Sequence, residues 1–294
     1  MSINSNIAGN TKVYGIIGRP IHHSFSPILH NTIANRLKKD FVYIPMLVES
    51  GNLEEAIKGA FALNIRGINV TVPYKVDVIK HLYKLDKRAE IIGAVNTLKY
   101  TQNGYIGYNT DIIGAYYAIS NKGYTVAGKS VLLLGAGGAA NALAVMAVEN
   151  KCKKLYIANR TVEKAKKLAN SISKHYEADI EVCSIEDINN IKSVDIIINS
   201  TTIGFEDKRN LSPIEDINFY KAKGISLVFD AIYTPWNTKL LLEAKGQGVD
   251  IINGFDMLIY QGIAAQEIWF EEEYTSDFKK LICSELAKFY KENC

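Results

Sequence analysis

A glycine-rich turn in the middle of the chain has the spacing of a phosphate-binding loop. Residues 131–140 read Val-Leu-Leu-Leu-Gly-Ala-Gly-Gly-Ala-Ala, so Gly135, Gly137 and Ala140 fill the defined places of the pattern G-x-G-x-x-G/A. The turn follows an apolar strand pattern and opens a helix pattern, as a dinucleotide-binding unit requires. Glycines let the backbone approach a pyrophosphate, and the helix N-terminus offers it N–H donors. The alternative is a glycine-rich turn without a ligand. The predicted cofactor contacts of this turn are Gly135, Ala136, Gly137, Gly138 and Ala139.

The next strand pattern indicates which dinucleotide would bind. It ends in Asn159, Arg160 and Thr161, about twenty residues after the glycines, where an NAD-binding chain usually carries Asp or Glu for the ribose 2′-OH. Here the position has no carboxylate, and Lys164 follows closely. A guanidinium fork with a nearby hydroxyl suits a 2′-phosphate. We therefore predict NADP rather than NAD, although lysines of the following helix are also compatible with a solvated helix face.

Two serines precede the first helix pattern, in the segment Gly18–Pro27. Ser26 is predicted to cap the helix and Pro27 to occupy its first position. Ser24 has no such structural role. Two hydroxyls beside the open N–H groups of a helix start could bind a carboxylate.

A polar strand face and a lysine follow at Gly67–Lys75. Because alternate strand residues share a face, Asn69 and Thr71 point away from their apolar neighbours and could hold hydroxyl groups. Pro73 ends the strand, and Lys75 is predicted to start the next helix, where a cation opposes the helix dipole. The alternative for Lys75 is a solvated surface lysine.

A third polar group combines Asn96, which lies within an apolar run, with Asp111, which opens a helix pattern. The alternative role of Asp111 is that of a helix cap or a first-turn carboxylate.

Apolar runs alternate with amphipathic segments along the chain, which predicts parallel sheets covered by helices on both faces. The predicted strands are Val13–Ile17, Phe41–Leu47, Gly67–Val72, Val131–Leu134, Lys154–Ala158, Asp195–Asn199, Leu227–Asp230 and Asp250–Ile252. The predicted helices are Ser26–Leu37, Leu53–Leu63, Tyr74–Tyr83, Asp111–Asn121, Ala139–Val148, Val162–Ser173, Asp256–Phe270 and Ser276–Glu292.

Composition narrows the class of protein. With 294 residues, and roughly 150 residues per domain, the chain suggests two domains. A net charge of +3 argues against a dedicated nucleic-acid binder. No run approaches the ~20 apolar residues of a membrane span, and the polar segment Met1–Lys12 does not resemble a secretory signal. The four scattered cysteines favour a reduced cytoplasmic protein without disulfides, and no metal site is expected.

Several short motifs together resemble the shikimate dehydrogenase family. They occur in the family's order and span most of the chain. The matching segments are Ser24–Pro27, Asn69–Lys75, Ala94–Thr97, Asn109–Asp111, the turn at 135–140, Asn159–Thr161 and Met257–Gln261.

The resemblance implies an NADP-linked reduction of 3-dehydroshikimate to shikimate, on the way to chorismate and the aromatic amino acids. It implies that Lys75, paired with Asp111, transfers the proton. It assigns the substrate to Ser24, Ser26, Asn69, Thr71, Asn96, Tyr233 and Gln261. It assigns further cofactor contacts to Asn159, Arg160, Thr161, Lys164, Ala231 and Gly254.

The resemblance also implies a domain layout. An N-terminal α/β substrate domain is completed by the last helices, residues 1–110 with 255–294, and a Rossmann-type NADP-binding domain covers 111–254, with the active-site cleft between them. The oligomeric state is left open, with a homodimer as the candidate assembly.

Two other functions remain open. A quinate/shikimate dehydrogenase would accept quinate and often NAD; Lys164, where many NADP-using members have arginine, makes the phosphate preference less certain. A non-catalytic dinucleotide sensor would have no need of both Lys75 and Asp111.

Overall fold

The computed structural model of the chain describes residues 7–293. Of the features discussed above, residues 1–6 of the polar N-terminal segment and Cys294 lie outside the described residues. The chain divides into two compact units, unit 1 with Met1–Thr110 and Ile259–Cys294, and unit 2 with Asp111–Leu258. In the described part, no helix combines the length and the apolar character that crossing a membrane demands.

The helices and strands alternate through most of the chain. The strands are β1 Lys12–Gly18, β2 Phe41–Leu47, β3 Gly67–Val70, β4 Lys84–Leu85, β5 Thr97–Thr101, β6 Gly104–Tyr108, β7 Ser130–Leu134, β8 Lys154–Ala158, β9 Ile180–Cys183, β10 Ile196–Asn199, β11 Leu227–Asp230 and β12 Asp250–Ile252. The α-helices are α1 Ser26–Leu37, α2 Leu53–Ala62, α3 Lys87–Ile92, α4 Asp111–Ser120, α5 Gly138–Glu149, α6 Val162–Ser173, α7 Phe219–Lys223, α8 Lys239–Gly246, α9 Phe255–Phe270 and α10 Ser276–Asn293.

The sheet of unit 1 is mixed rather than parallel. Its strand order is β2-β1-β3-β5-β6-β4, and β5 runs antiparallel to both β3 and β6. Strands β5 and β6 form a hairpin that the apolar pattern did not predict. The two-residue turn is Gln102-Asn103, and Gly104, which opens β6 with a φ of +131°, completes an Asn-Gly dipeptide that is the hairpin signal in the sequence.

Two hydrophobic cores cover the faces of this sheet. Tyr14 of β1 and Tyr43 of β2 pack with Trp269 of α9 on one face. Ile68 and Val70 of β3 pack with Ile57 of α2 in the other core. This division follows from the alternation of side chains along each strand.

Unit 2 has a fully parallel sheet, as its apolar runs predict. The strand order is β12-β11-β10-β7-β8-β9, so successive strands proceed outward in one direction from β7 and in the other from β10. All four residues of β10 and of β11 are buried. In such sheets ligands bind at the carboxyl ends of the strands where the direction reverses, here between β7 and β10. The predicted α/β class with a Rossmann-type unit is therefore confirmed.

The predicted helix Tyr74–Tyr83 is wrong. Residues 72–76 form turns and Asp77–His81 a short 3₁₀-helix. Tyr74 and Val78 do bury their side chains, which explains the helix-like spacing of the apolar residues. Strand β3 also ends at Val70 rather than Val72, next to Pro73, which cannot donate a backbone hydrogen bond.

Gly67 provides a test of the packing of β3. An added Cβ would lie 2.5 Å from the indole of Trp269, whose Nε1 donates to the Leu98 carbonyl at 2.9 Å and cannot easily shift. We expect Gly67→Ala to cost about 1–3 kcal/mol through overpacking. The matched control is Gly59→Ala, because nothing lies within 4 Å of the added Cβ on α2. It should stabilise the helix by about 0.5–1 kcal/mol. Thermal melts followed by circular dichroism would show this, and equal melting temperatures for the two variants would contradict it.

Candidate active site

The two predicted carboxylate-binding serines lie at the start of α1, but Ser26 does not cap it. The helix begins at Ser26 itself, the capping position is Phe25, and no side chain caps the N-terminus. The Ser24 hydroxyl accepts instead from the Ser26 N–H at 3.3 Å. The buried Ser26 hydroxyl bonds to Tyr43 of β2, so it is directed towards the sheet. The prediction of a Ser26 cap is wrong because the helix starts one residue earlier than the cap requires.

The amide of Asn69 is the centre of a buried hydrogen-bond network. Its Oδ1 accepts from the Tyr43 hydroxyl at 2.7 Å. Its Nδ2 donates to the Asn96 carbonyl and to Thr97 Oγ1, each at 3.1 Å. Tyr43 therefore links Ser26 to Asn69, two residues that the sequence predicts to bind opposite ends of a substrate.

Asn96 continues the network towards the end of unit 1. Its Oδ1 accepts from the Thr110 N–H at 2.8 Å and from Thr97 Oγ1 at 2.9 Å. Its Nδ2 donates to Gln261 Oε1 of α9 at 3.4 Å. Four predicted substrate residues, Ser26, Asn69, Asn96 and Gln261, thus belong to one connected set of neutral polar groups.

Sequence reasoning missed three further members of this set, Tyr43, Thr97 and Thr110. Thr97 directly follows Asn96, and Thr110 directly precedes Asp111. Adjacency to predicted residues is therefore the signal that could have found them. Tyr43 belongs to an ordinary strand pattern, and nothing in the sequence distinguishes it. A dense group of amides and hydroxyls is suited to a polyhydroxylated ligand, because it can donate and accept without charge.

Lys75 lies in the turn after β3 and is half-buried. Its carbonyl accepts from the Val95 N–H at 2.7 Å, which places its backbone beside the residue that precedes Asn96. The turn is anchored by Tyr74, whose buried hydroxyl donates to the Val48 carbonyl at 2.8 Å. Thr71 lies at the end of β1, since a Cβ on Gly18 would meet its Cγ2 at 2.4 Å. The backbone of Lys75 is therefore held next to the residue that precedes Asn96 of the hydrogen-bond network.

The glycine turn of unit 2 has room for a phosphate. Gly135 has a φ of +109°, and an added Cβ would meet Ser200 Oγ at 2.5 Å, so this glycine is required by the loop after β10. Around Gly137 and Gly138 nothing lies within 4 Å of an added Cβ. Helix α5 starts here without a side-chain cap or an acidic residue in its first turn. The exposed N-terminus and the open space fit a pyrophosphate.

The proposed 2′-phosphate site lies at the start of α6. Asn159 Nδ2 donates to the Thr161 carbonyl at 2.8 Å, which shapes the turn after β8. Arg160 and Lys164 are exposed, and neither forms an ion pair with any residue between 7 and 293. Thr161 stands at the capping position without making a side-chain cap. Two cations and a hydroxyl are therefore available to a phosphate.

Ala231 and Gly254 are brought into direct contact. A Cβ on Gly254 would lie 2.0 Å from the Ala231 carbonyl oxygen, and the Gly254 N–H donates to the Ile232 carbonyl at 3.0 Å. The loop after β11 is held by Asp230, which accepts from Asn199 at 2.9 Å and from Thr238 at 2.7 Å. The sequence did not single out Asp230, which organises the loop that carries Ala231 and Tyr233.

Asp111 and Tyr233 belong to unit 2. Asp111 is the first residue of α4 and is buried, and it directly follows Thr110 of the network. Tyr233 is half-buried in the loop between β11 and α8. Their predicted roles, the pairing of Asp111 with Lys75 and the contact of Tyr233 with the substrate carboxylate, stay predictions.

Comparison with known proteins identifies the family. The model of the shikimate dehydrogenase substrate binding domain matches residues 16–98, and that of shikimate / quinate 5-dehydrogenase matches residues 118–205. A shikimate dehydrogenase (NADP+) of Methanocaldococcus jannaschii is 42% identical over 268 residues, which are 90% of this chain and 93% of that protein. The chain belongs to the shikimate dehydrogenase family.

Solved structures of shikimate dehydrogenases have the same fold over nearly the whole chain. One in complex with NADP+ is 40% identical, with a TM-score of 0.85, and covers 97% of this chain and 99% of its own. The Listeria monocytogenes enzyme in complex with shikimate and NAD is 32% identical, with a TM-score of 0.87, and covers 95% of this chain and 99% of its own. The predicted shikimate dehydrogenase resemblance is therefore confirmed.

Asp230 gives a pH-dependent test of the loop that carries Ala231. Burial raises the pKa of this carboxyl to about 6, against the opposing effect of its hydrogen bonds to Thr238, Ile232 and Asn199. Because the pKa is higher in the folded than in the unfolded chain, the folded state binds the proton more tightly. Stability is then lost as the pH rises from about 4 to about 6, by about 3 kcal/mol in all.

The neutral variant Asp230→Asn should lack this loss, because an amide can keep the same partners without ionising. Its melting temperature, relative to the wild type, should rise across that pH window. Asp207→Asn, which changes an exposed carboxylate in the same unit, is the control. If the melting temperatures of the wild type and of Asp230→Asn changed in parallel with pH, the prediction would be contradicted.

Proposed function

We propose that the chain is an NADP-dependent shikimate dehydrogenase, which reversibly reduces 3-dehydroshikimate to shikimate. The observation that carries the proposal is the backbone bond between Lys75 and Val95, which holds the Lys75 backbone next to the residue that precedes Asn96 of the buried network. Family membership supports the reaction, and the names of the curated relatives support the cofactor. The reaction belongs to the route to chorismate and the aromatic amino acids.

The substrate residues divide by chemistry. Ser24 and Ser26 bind the carboxylate with hydroxyls and N–H groups at the start of α1, and Tyr233 completes that end. The neutral residues bind the ring hydroxyls, for which a charge-free set of donors and acceptors is suited. These residues are Asn69, Thr71, Asn96 and Gln261.

Lys75 manages the proton of the reaction. NADPH supplies the hydride to the carbonyl carbon when it is bound. The electron pair of the C=O bond moves to oxygen, and the Lys75 ammonium stabilises this developing charge and donates a proton to it. The product is the alcohol and a neutral lysine, which regains its proton from water. Asp111 orients the lysine for the transfer.

The residues of unit 2 hold the cofactor. Gly135, Ala136, Gly137, Gly138 and Ala139 cradle the pyrophosphate at the start of α5. Asn159, Arg160, Thr161 and Lys164 bind the 2′-phosphate, where the arginine fork matches phosphate oxygens. Ala231 and Gly254 line the nicotinamide end.

Two wider properties complete the proposal. We place the enzyme in the cytoplasm, since Cys152, Cys183 and Cys283 are free thiols. A homodimer remains the candidate assembly, and small molecules rather than nucleic acids are the partners.

Replacing the lysine tests the mechanism. We expect Lys75→Ala to lower kcat by about 10²–10⁴-fold, the usual contribution of general acid–base catalysis, with a smaller change in KM for shikimate. The control is Lys80→Ala, which removes an exposed lysine of the adjacent 3₁₀-helix. Steady-state absorbance of NADPH measures both variants. Near-normal turnover by Lys75→Ala would remove this residue from the mechanism.

A comparison of four substrate pairs tests the choice of substrate and cofactor. Shikimate or quinate is combined with NADP or NAD, and kcat/KM is measured for each pair. We expect shikimate with NADP to be the best pair, because Arg160 and Lys164 attract the 2′-phosphate. The same turn has no carboxylate to hold the ribose 2′-hydroxyl of NAD. Quinate with NAD as the best pair would favour the quinate/shikimate dehydrogenase instead. Nucleotide binding without turnover of either acid would favour a sensor.

A further inference from the structure

A buried histidine of α1, His30, lies next to the substrate network without belonging to its predicted residues. Its ring is fully buried, and its Nδ1 lies 3.0 Å from Gln266 Nε2 of α9. The same Gln266 nitrogen donates to the His30 carbonyl at 3.3 Å, and Gln266 Oε1 accepts from the Tyr274 hydroxyl at 3.3 Å. A carbonyl oxygen only accepts, so Gln266 Nε2 is the donor and His30 Nδ1 the acceptor. The proton of the neutral ring is therefore on Nε2.

Among residues 7–293, this Nε2–H is the one buried side-chain polar group without a partner in good hydrogen-bond geometry. Burial lowers the pKa of His30 to about 3, so the ring is neutral at physiological pH, while hydrogen bonding between the ring and the Asn69 side chain acts in the opposite direction and raises the pKa. Gly262 of α9 lies beside the ring, since an added Cβ would lie 3.4 Å from Nε2 and would clash with Leu29. A buried donor whose hydrogen bond is poorly formed destabilises a fold, so its presence needs a reason outside packing.

The ring of His30 also supports the partner of Asn69. It stacks on Tyr43 with the centroids 4.1 Å apart and the planes 16° from parallel. The Tyr43 hydroxyl in turn donates to Asn69 Oδ1 at 2.7 Å. His30 therefore touches the network at two points, through the face of Tyr43 and through the hydrogen-bonding contact of its ring with the Asn69 side chain.

The effect of the His30 Nε2–H follows from whether each neighbour of the Asn69 amide can donate a hydrogen bond, accept one, or do both. The Tyr43 and Thr97 hydroxyls can each donate or accept, so they tolerate either orientation of the Asn69 amide. The Asn96 carbonyl only accepts and requires Nδ2 on its side. A neutral Nε2–H only donates and favours Oδ1 on the other side. The Asn96 carbonyl, which only accepts, and the His30 Nε2–H, which only donates, therefore favour the same orientation of the Asn69 amide.

We propose that His30 is a positioning residue of the substrate site, whose Nε2–H orients the Asn69 carboxamide for binding a ring hydroxyl. The inference rests on the proposed function, because it assigns to Asn69 a hydroxyl of shikimate. A phenylalanine would fill the same space and keep the stack on Tyr43, but it would offer neither the Nδ1 acceptor nor the Nε2–H donor. The bond from Gln266 accounts for Nδ1, and the orientation of Asn69 accounts for Nε2–H.

Two reciprocal variants separate the donor from the ring. His30→Phe keeps an aromatic ring on Tyr43 and removes the N–H, while His30→Gln removes the ring and keeps an N–H at the Nε2 position. Both variants lose the Nδ1 acceptor of Gln266, so this loss is common to the two and cancels in their comparison. We expect His30→Phe to raise KM for shikimate by about 3–10-fold, as the loss of one hydrogen bond does, with kcat and KM for NADP changed by less than about 2-fold. His30→Gln should stay closer to the wild type. The opposite ranking would mean that only packing matters and would overturn the inference.

A second background tests whether His30 acts through Asn69. In Asn69→Ala, the further change His30→Phe should leave KM for shikimate unaltered, because the group that it orients is gone. Additive effects would overturn the inference. Tyr105→Phe is the matched control, since it removes another buried hydrogen bond of unit 1, to the Ile65 carbonyl at 2.7 Å, in the core on the other sheet face. It should leave KM unchanged.

Nitrogen NMR of the wild-type enzyme decides the question even where a variant does not fold. With ¹⁵N-labelled histidine, one of the five rings should stay neutral between about pH 5 and 8, carry its proton on Nε2, and shift when shikimate is added. A proton on Nδ1, or no response to shikimate in an active enzyme, would overturn the inference alone. A wild-type enzyme that does not oxidise shikimate would overturn the proposed function first, and the assignment of His30 with it.

Discussion

The arrangement of unit 1 depends on one buried primary amide. Asn69 needs partners for both of its N–H bonds and for its oxygen, because an unpaired polar group in the interior costs more than a hydrogen bond returns. The partners come from β2, from the residue before β5 and from β5 itself, so the amide requires these segments to be aligned. Asn69 pairs with Thr97 in the antiparallel register of β3 and β5. A slip of one residue would turn the Asn69 side chain to the opposite face and break every one of these bonds.

Unit 2 is constrained differently, by close approach of backbone rather than by polar pairing. Gly135 lies against Ser200, and Gly254 lies against Ala231, at separations that no side chain could occupy. These contacts bring together loops from the ends of β7, β10, β11 and β12. The loops predicted to bind the dinucleotide are thus shaped by two missing side chains, those of Gly135 and Gly254, whereas the polar network of unit 1 is shaped by hydrogen bonds between side chains.

The sequence predicted those elements whose structure depends on consecutive residues. Five of the six strands of unit 2 and the glycine turn could be predicted, because buried parallel strands and glycine-rich turns depend on consecutive residues. The helix at Tyr74–Tyr83 was wrong, since Tyr74 and Val78 have helical spacing but belong to turns and a 3₁₀-helix. The hairpin β5–β6 and the strand β9 were missed, as their residues are only partly apolar. Tyr43 and His30 could not be found at all, because their roles come from partners far away in sequence.

The closing segment of the chain has a bearing on how the protein is made. Three of the contacts that complete unit 1 come from α9: Gln261 to Asn96, Gln266 to His30 and Trp269 to the Leu98 carbonyl. Their partners leave the ribosome more than a hundred residues earlier, and the whole of unit 2 is translated in between. Unit 2 can therefore reach its native state during synthesis, while unit 1 waits with its polar interior incomplete until the last helices emerge. In this topology the segment that is translated first belongs to the unit that is completed last.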